Sequence, residues 1–247
     1  MINYWKADCK RVFRRIPRIL MMLVLVAVFN YLLFKASQQD GWNSVQFLNT
    51  IEGFAVIYII CAGFIEFLYI YASDLKARTM QVGIAMGMKR RRVIGTKYLD
   101  MAILSFVDLL FFMITLLIVG TATGASLQAY QIKDVIILFV EIWVSIQAYA
   151  GFGTLVTLFM QNAPLGGFVY FLLSARIVHQ GFAYVFGLKL VRSLKLTNYL
   201  LTDSISKFKA QLLVGSLDLP SIILILIYVV GIFLIACRVF KDKELDL

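Results

Sequence analysis

The sequence predicts an all-α integral membrane protein, and three observations carry that expectation. Apolar residues make up 61% of the chain and charged residues only 15%, against roughly a quarter charged in soluble domains. Mean hydropathy is +0.85. The apolar residues are also gathered into runs close to the roughly 20 residues a helix needs to cross the hydrocarbon core, with short polar or basic connections between them.

The first segment, residues 1–16, reads as an amphipathic helix. Ile2, Trp5, Cys9, Val12 and Ile16 recur at helical spacing, while Lys6, Lys10, Arg11, Arg14 and Arg15 take the other positions. Such a helix lies in the membrane interface, apolar side inward and basic side toward anionic headgroups. Six apolar runs follow, about Pro17–Phe34, Ile51–Tyr71, Tyr98–Val119, Val135–Phe159, Leu165–Phe186 and Leu219–Cys237, and each is expected to be a transmembrane helix. The N-terminal region lacks the small-residue cleavage site of a signal peptide.

Charge placement orients these spans. The net charge of +10 is concentrated at Lys6–Arg18, Lys76–Lys97 and Arg238–Lys243. Basic residues beside membrane spans mark the cytoplasmic side, so both termini are expected there. The same distribution argues against nucleic acid as the partner.

The longest loop, residues 187–218, is too short for a separate domain, so the chain reads as one transmembrane unit over residues 1–247. Asn198–Leu213 mixes apolar and basic residues in a helix-compatible order. The connection Met160–Gly167 is short and uncharged and reads as a turn between packed helices.

Ionisable groups inside spans usually face partners or water-filled cavities. Glu66, Asp108, Glu141, Arg176 and His179 are the candidates, as intramembrane charge pairs or as the lining of a translocation route. Arg176 and His179 share a helix face. Depth along the helices, at 1.5 Å per residue, pairs Asp108 with Arg176 and Glu141 with His179.

Catalysis has little support. One histidine and no His-Glu-x-x-His pattern leave no recognisable zinc site, and Glu52 and Glu66 lie too far apart on one helix to form a dyad. Cys9, Cys61 and Cys237 suit packing rather than a disulfide framework. Gly83–Lys89 misses the phosphate-loop spacing, with Arg90 where a hydroxyl is needed. No catalytic, cofactor or metal residue is therefore assigned.

The most patterned segment is residues 73–97, basic and amphipathic between two apolar runs. Asp74 is followed five positions later by Thr79, then by Gly87, Arg90 and Lys97. Thr79 suits a helix cap, and Gly83 and Gly87 weaken an isolated helix by about 1 kcal/mol each, so this short helix needs a surface to hold it. The alternative is a loop whose Lys89–Arg92 cluster meets anionic lipid.

This order resembles the first cytoplasmic loop of type-2 ABC exporter permeases, with Asp74 where the family more often has Glu and Arg78 where Gly usually precedes the Thr. The interfacial first helix, six spans and long outer loop agree with that family over most of the chain. The resemblance implies a membrane-spanning transport subunit in the bacterial cytoplasmic membrane, working with a second permease copy or paralogue. Separate ABC ATPase subunits would bind ATP and Mg and couple through Asp74, Thr79, Gly87, Arg90 and Lys97. Its expected cargo is an amphipathic peptide such as a toxin, bacteriocin or antimicrobial peptide. Two other classes are open on the residues alone: a membrane scaffold that docks a cytoplasmic partner, and a proton-coupled secondary transporter.

Overall fold

The computed structural model describes residues 10–76, 79–85, 87–187 and 199–242, and every regular element among them is helical. They are α1 (Ile16–Ser37), α2 (Ser44–Lys76), α3 (Thr79–Ala85), α4 (Arg90–Ala122), α5 (Ala129–Met160), α6 (Ala163–Ser174), α7 (Ile177–Gly187), α8 (Leu201–Val214) and α9 (Leu219–Asp242). Five of them, α1, α2, α4, α5 and α9, are long and apolar enough to cross a membrane. The chain is a multi-pass, all-α membrane protein.

Burial identifies the centre. In α5, 56% of the apolar window is buried, against 22% for α1 and 17% for α9. Accordingly α5 packs on α2, α4, α6, α8 and α9, while α1 closes the opposite side against α2 and α4. At 32 or 33 residues, α2, α4 and α5 are each about 50 Å long. They exceed the roughly 30 Å hydrocarbon core and extend past it.

Aromatic rings join the first three long helices. Phe29 of α1 contacts Phe54 of α2 at 5.0 Å and Phe112 of α4 at 5.3 Å, and Tyr58 stacks on Phe112 at 4.2 Å. Each such pair adds about 0.5–1.5 kcal/mol beyond its buried area.

Small residues let α6 approach α2 and α5, as is common where membrane helices cross closely. A Cβ on Gly63 would collide with the Tyr170 ring, whose hydroxyl donates to the Ile59 carbonyl at 2.6 Å. A Cβ on Gly166 would meet Thr157 and the Gly153 carbonyl.

The run expected as a fifth span, Leu165–Phe186, is two half-helices. Asn162 caps α6 by accepting from the Leu165 amide at 3.1 Å, with Pro164 in the first turn. The helix then ends at Ser174, and Arg176 takes the left-handed conformation, φ 60°, before α7 begins. At about 18 Å and 16 Å, neither half reaches across the hydrocarbon core alone.

The interfacial helix expected over residues 1–16 is described only from Lys10, where a short turn buries Val12 to 1% exposure and gives way to α1. Ile2, Trp5 and Cys9 lie outside the described residues. Within the segment 187–218, the helix-compatible stretch forms α8, ended by Gly215 at φ 84°.

Candidate functional site

Three charged layers are stacked along the bundle. The first lies beside residues 73–97. Asp74, at the end of α2, is fully buried and receives Arg11 from the N-terminal segment and Lys97 from α4. Lys97 also lies 3.9 Å from Asp100, and these last two are 1% and 2% exposed. Asp74 and Lys97 therefore tie three chain segments together at the root of the loop.

Arg90 is an internal tie as well. Its Nη1 donates to the Phe240 and Lys241 carbonyls at 2.9 and 3.0 Å, and its guanidinium lies over the Phe240 ring at 5.9 Å. A cation at the last carbonyls of α9 offsets the negative end of that helix. What the loop presents outward is different: Val82, 50% exposed, Gly87 at φ 87°, Lys89, Arg91 and Arg92. Thr79 begins α3, and its side chain lies outside the described residues, so the cap expected of it is undescribed.

The second layer lies about 16 Å further in, eleven residues along α4 from Lys97. Here Arg18 of α1 binds Asp108 of α4, and Glu66 of α2 is fully buried with these two as its electrostatic neighbours. The expected pairing of Asp108 with Arg176 is thus corrected. Arg18 takes Asp108 because α1 packs on α4, whereas α6 packs on α2 and α5.

The third layer is at the opposite end, where α8 lies over α5. Lys209 of α8 donates to Glu52 of α2 and sits 3.1 Å from Glu141 of α5. Burial alone would lower the Lys209 pKa, but its two carboxylate neighbours outweigh this and raise it above the ordinary 10.5. The expected pairing of Glu141 with His179 is corrected in the same way. His179 Nε2 lies 3.0 Å from Asp203 Oδ1 of α8 instead, so α8 is tied to α2 and α5 through Lys209 and to α7 through Asp203.

Beneath α8 are two adjoining cavities. One, about 230 Å³, is polar and lined by Glu52, Glu141, Arg176, Lys209 and several hydroxyls. The other, about 580 Å³, is lined chiefly by apolar and aromatic side chains, including Phe152, Leu172, Phe182 and Tyr228. Tyr149 and Thr202 line both, with their oxygens 3.4 Å apart, and mark where the two adjoin. Arg176 forms no ion pair among the described residues and lines the polar cavity at the break between α6 and α7.

Of the residues singled out from sequence, Asp74 and Lys97 meet directly, Glu66 and Asp108 share one layer, and Glu141 and Arg176 share one cavity. His179 lines the neighbouring apolar cavity. Sequence reasoning treated Arg18 only as an orienting charge and passed over Lys209 and Asp203 as partners. The signal for Arg18 was its place just inside an apolar run, after Pro17. No group of three or more histidine, cysteine, aspartate or glutamate side chains suited to a metal occurs among the described residues. No family model matches this chain, and no curated protein matches it either.

Proposed function

We propose that this chain is the membrane subunit of an ATP-driven exporter of the type-2 ABC class, moving amphipathic peptides out of the cell or its membrane. In this reading both termini and residues 73–97 face the cytoplasm, the α6–α7 pair is a broken fifth crossing, and α8 lies on the outer side. ATP hydrolysis belongs to separate subunits, and a second permease copy completes the transporter.

The observation that carries the reading is the 73–97 segment, whose root is braced by ion pairs and hydrogen bonds while its basic face is exposed. Non-helical backbone at membrane depth is tolerated where protein or a cavity surrounds it, as at the break between α6 and α7 beside the polar cavity. The loop adds a division of labour. Asp74, Lys97 and Arg90 brace it to α2, α4 and α9, while Val82, Lys89, Arg91 and Arg92 make contact with the ATPase. A push on α3 then reaches three long helices through the buried Asp74–Lys97 pair and the half-buried Arg90.

Purification from native membranes tests the assignment. An ATPase should accompany the tagged chain, and Arg91→Glu with Arg92→Glu should remove it while leaving membrane insertion intact. Retention of the ATPase by that variant would overturn the docking surface.

A second reading, a proton-coupled transporter, is favoured by one observation, the Arg18–Asp108–Glu66 layer with two carboxyl groups and one cation. It requires uptake or efflux in liposomes driven by a pH gradient without ATP, and abolished by Glu66→Gln.

A further inference from the structure

We infer that the paired cavities beneath α8 form a binding site for a zwitterionic single-chain lipid, head in the polar cavity and chain in the apolar one.

Charge selects the head. Glu52 and Glu141 carry two negative charges and share one cation, Lys209, whereas Arg176 has no carboxylate partner among the described residues. The cavity is therefore neutral overall but has two poles: an excess of negative charge at the Glu52–Glu141 side and an unmatched guanidinium at the helix break. A purely anionic head meets the carboxylates, and a purely cationic head meets Arg176. A head with both signs satisfies both poles, its phosphate oxygens taking charge-assisted hydrogen bonds from Arg176 and its ammonium facing Glu52. Hydroxyls of Ser145, Ser174, Thr202 and Ser206 line the same space and can bond the remaining oxygens.

Size decides the chain. An α-helix about 11 Å across with a 5.4 Å pitch fills about 500 Å³ per turn, so the 580 Å³ apolar cavity admits about one turn. It cannot enclose an amphipathic helix. Together the cavities are of small-ligand scale, and an acyl chain fits where a folded peptide does not. Tyr149 and Thr202, which line both cavities, stand at the level where a lipid changes from head to chain.

This goes beyond the peptide-export proposal and does not depend on it, because binding is read on the permease chain alone. Loss of ATPase association would leave it untouched, and its failure would leave ATPase association untouched.

The test is displacement of a dansyl-labelled lysophosphatidylcholine from the purified full chain in maltoside micelles, with protein-free micelles as the blank. Competitors are lysophosphatidylcholine, lysophosphatidic acid and an alkyltrimethylammonium of equal chain length, together with chain-free glycerophosphocholine. Lysophosphatidylcholine should compete about tenfold more tightly than either singly charged amphiphile, and glycerophosphocholine should not compete. Arg176→Gln should weaken it by about tenfold or more, the loss of one charge-assisted bond. Val169→Trp, which fills the apolar cavity, should weaken every chain-bearing competitor. Equal competition by the anionic or cationic amphiphile, or competition by glycerophosphocholine, would overturn the site. These arms use the natural chain, so they decide the matter even if a variant fails to fold.

Discussion

Lys97→Met separates bracing from docking at the charged root of the 73–97 segment. Lys97 and Asp74 are at most 1% exposed, and Asp100 is 2% exposed. Removing one partner of a buried ion pair costs about 3–5 kcal/mol, because the charge left behind has lost its solvent and its counter-ion together. Here Arg11 still reaches Asp74, which holds the cost near the lower end, about 3 kcal/mol. For a chain of this size that lowers the thermal midpoint in detergent by about 6–12 °C. Lys97→Met with Asp100→Asn should recover part of the loss, since the second change removes a carboxylate that the first left short of positive charge. By contrast, Arg91→Glu with Arg92→Glu alters exposed groups, worth about 0–1 kcal/mol, and should leave the midpoint nearly unchanged. Thermal unfolding followed by intrinsic fluorescence distinguishes the two cases. If Lys97→Met left the midpoint unaltered and abolished only ATPase association, Lys97 would be a surface contact and the bracing role would be refuted.

Arg18→Met leaves the fully buried Glu66 and the partly buried Asp108 without their cation and should destabilise the fold by about 3 kcal/mol, measured by the same unfolding assay. Gly166→Ala places a methyl 2.5 Å from the Gly153 carbonyl, a backbone group with little room to yield, and should cost about 1–3 kcal/mol. Gly181→Ala meets nothing within 4 Å and serves as the tolerated control. The Lys209 tie gives a pH prediction. Because its folded pKa is raised, its stabilisation is complete below the ordinary lysine value of 10.5 and is lost only as pH climbs through the raised value. The difference in midpoint between the natural chain and Lys209→Met should therefore hold constant from pH 7 to 9, and a steady shrinkage over that range would contradict the assignment.

Much of the fold was legible because length and hydropathy alone set the long helices, and α1, α2, α4, α5 and α9 cover five of the six apolar runs. The break at Arg176 was hidden. Nothing in Leu173-Ser-Ala-Arg-Ile is a glycine or proline, and a left-handed arginine is set by packing rather than propensity. Charge pairing was hidden for a related reason: depth along each helix says which groups share a level, but neighbours are fixed by which helices touch. Asp108 and Arg176 match in depth, yet α1 brings Arg18 to Asp108. The 73–97 segment showed its charge pattern plainly. Burial then divided that pattern into Asp74, Lys97 and Arg90 facing inward and Lys89, Arg91 and Arg92 facing out, a division that needs the third dimension.

Whether an ATPase works through this chain is decided by ATP hydrolysis of the co-purified complex in liposomes, with and without added amphipathic peptide. Across a peptide series of equal length and net charge, stimulation should rise with the separation of apolar and polar residues onto opposite helix faces. Arg91→Glu with Arg92→Glu should abolish the stimulation while the chain stays inserted. A chain that purifies intact from native membranes with no ATPase, and binds none added to it, would contradict the exporter proposal.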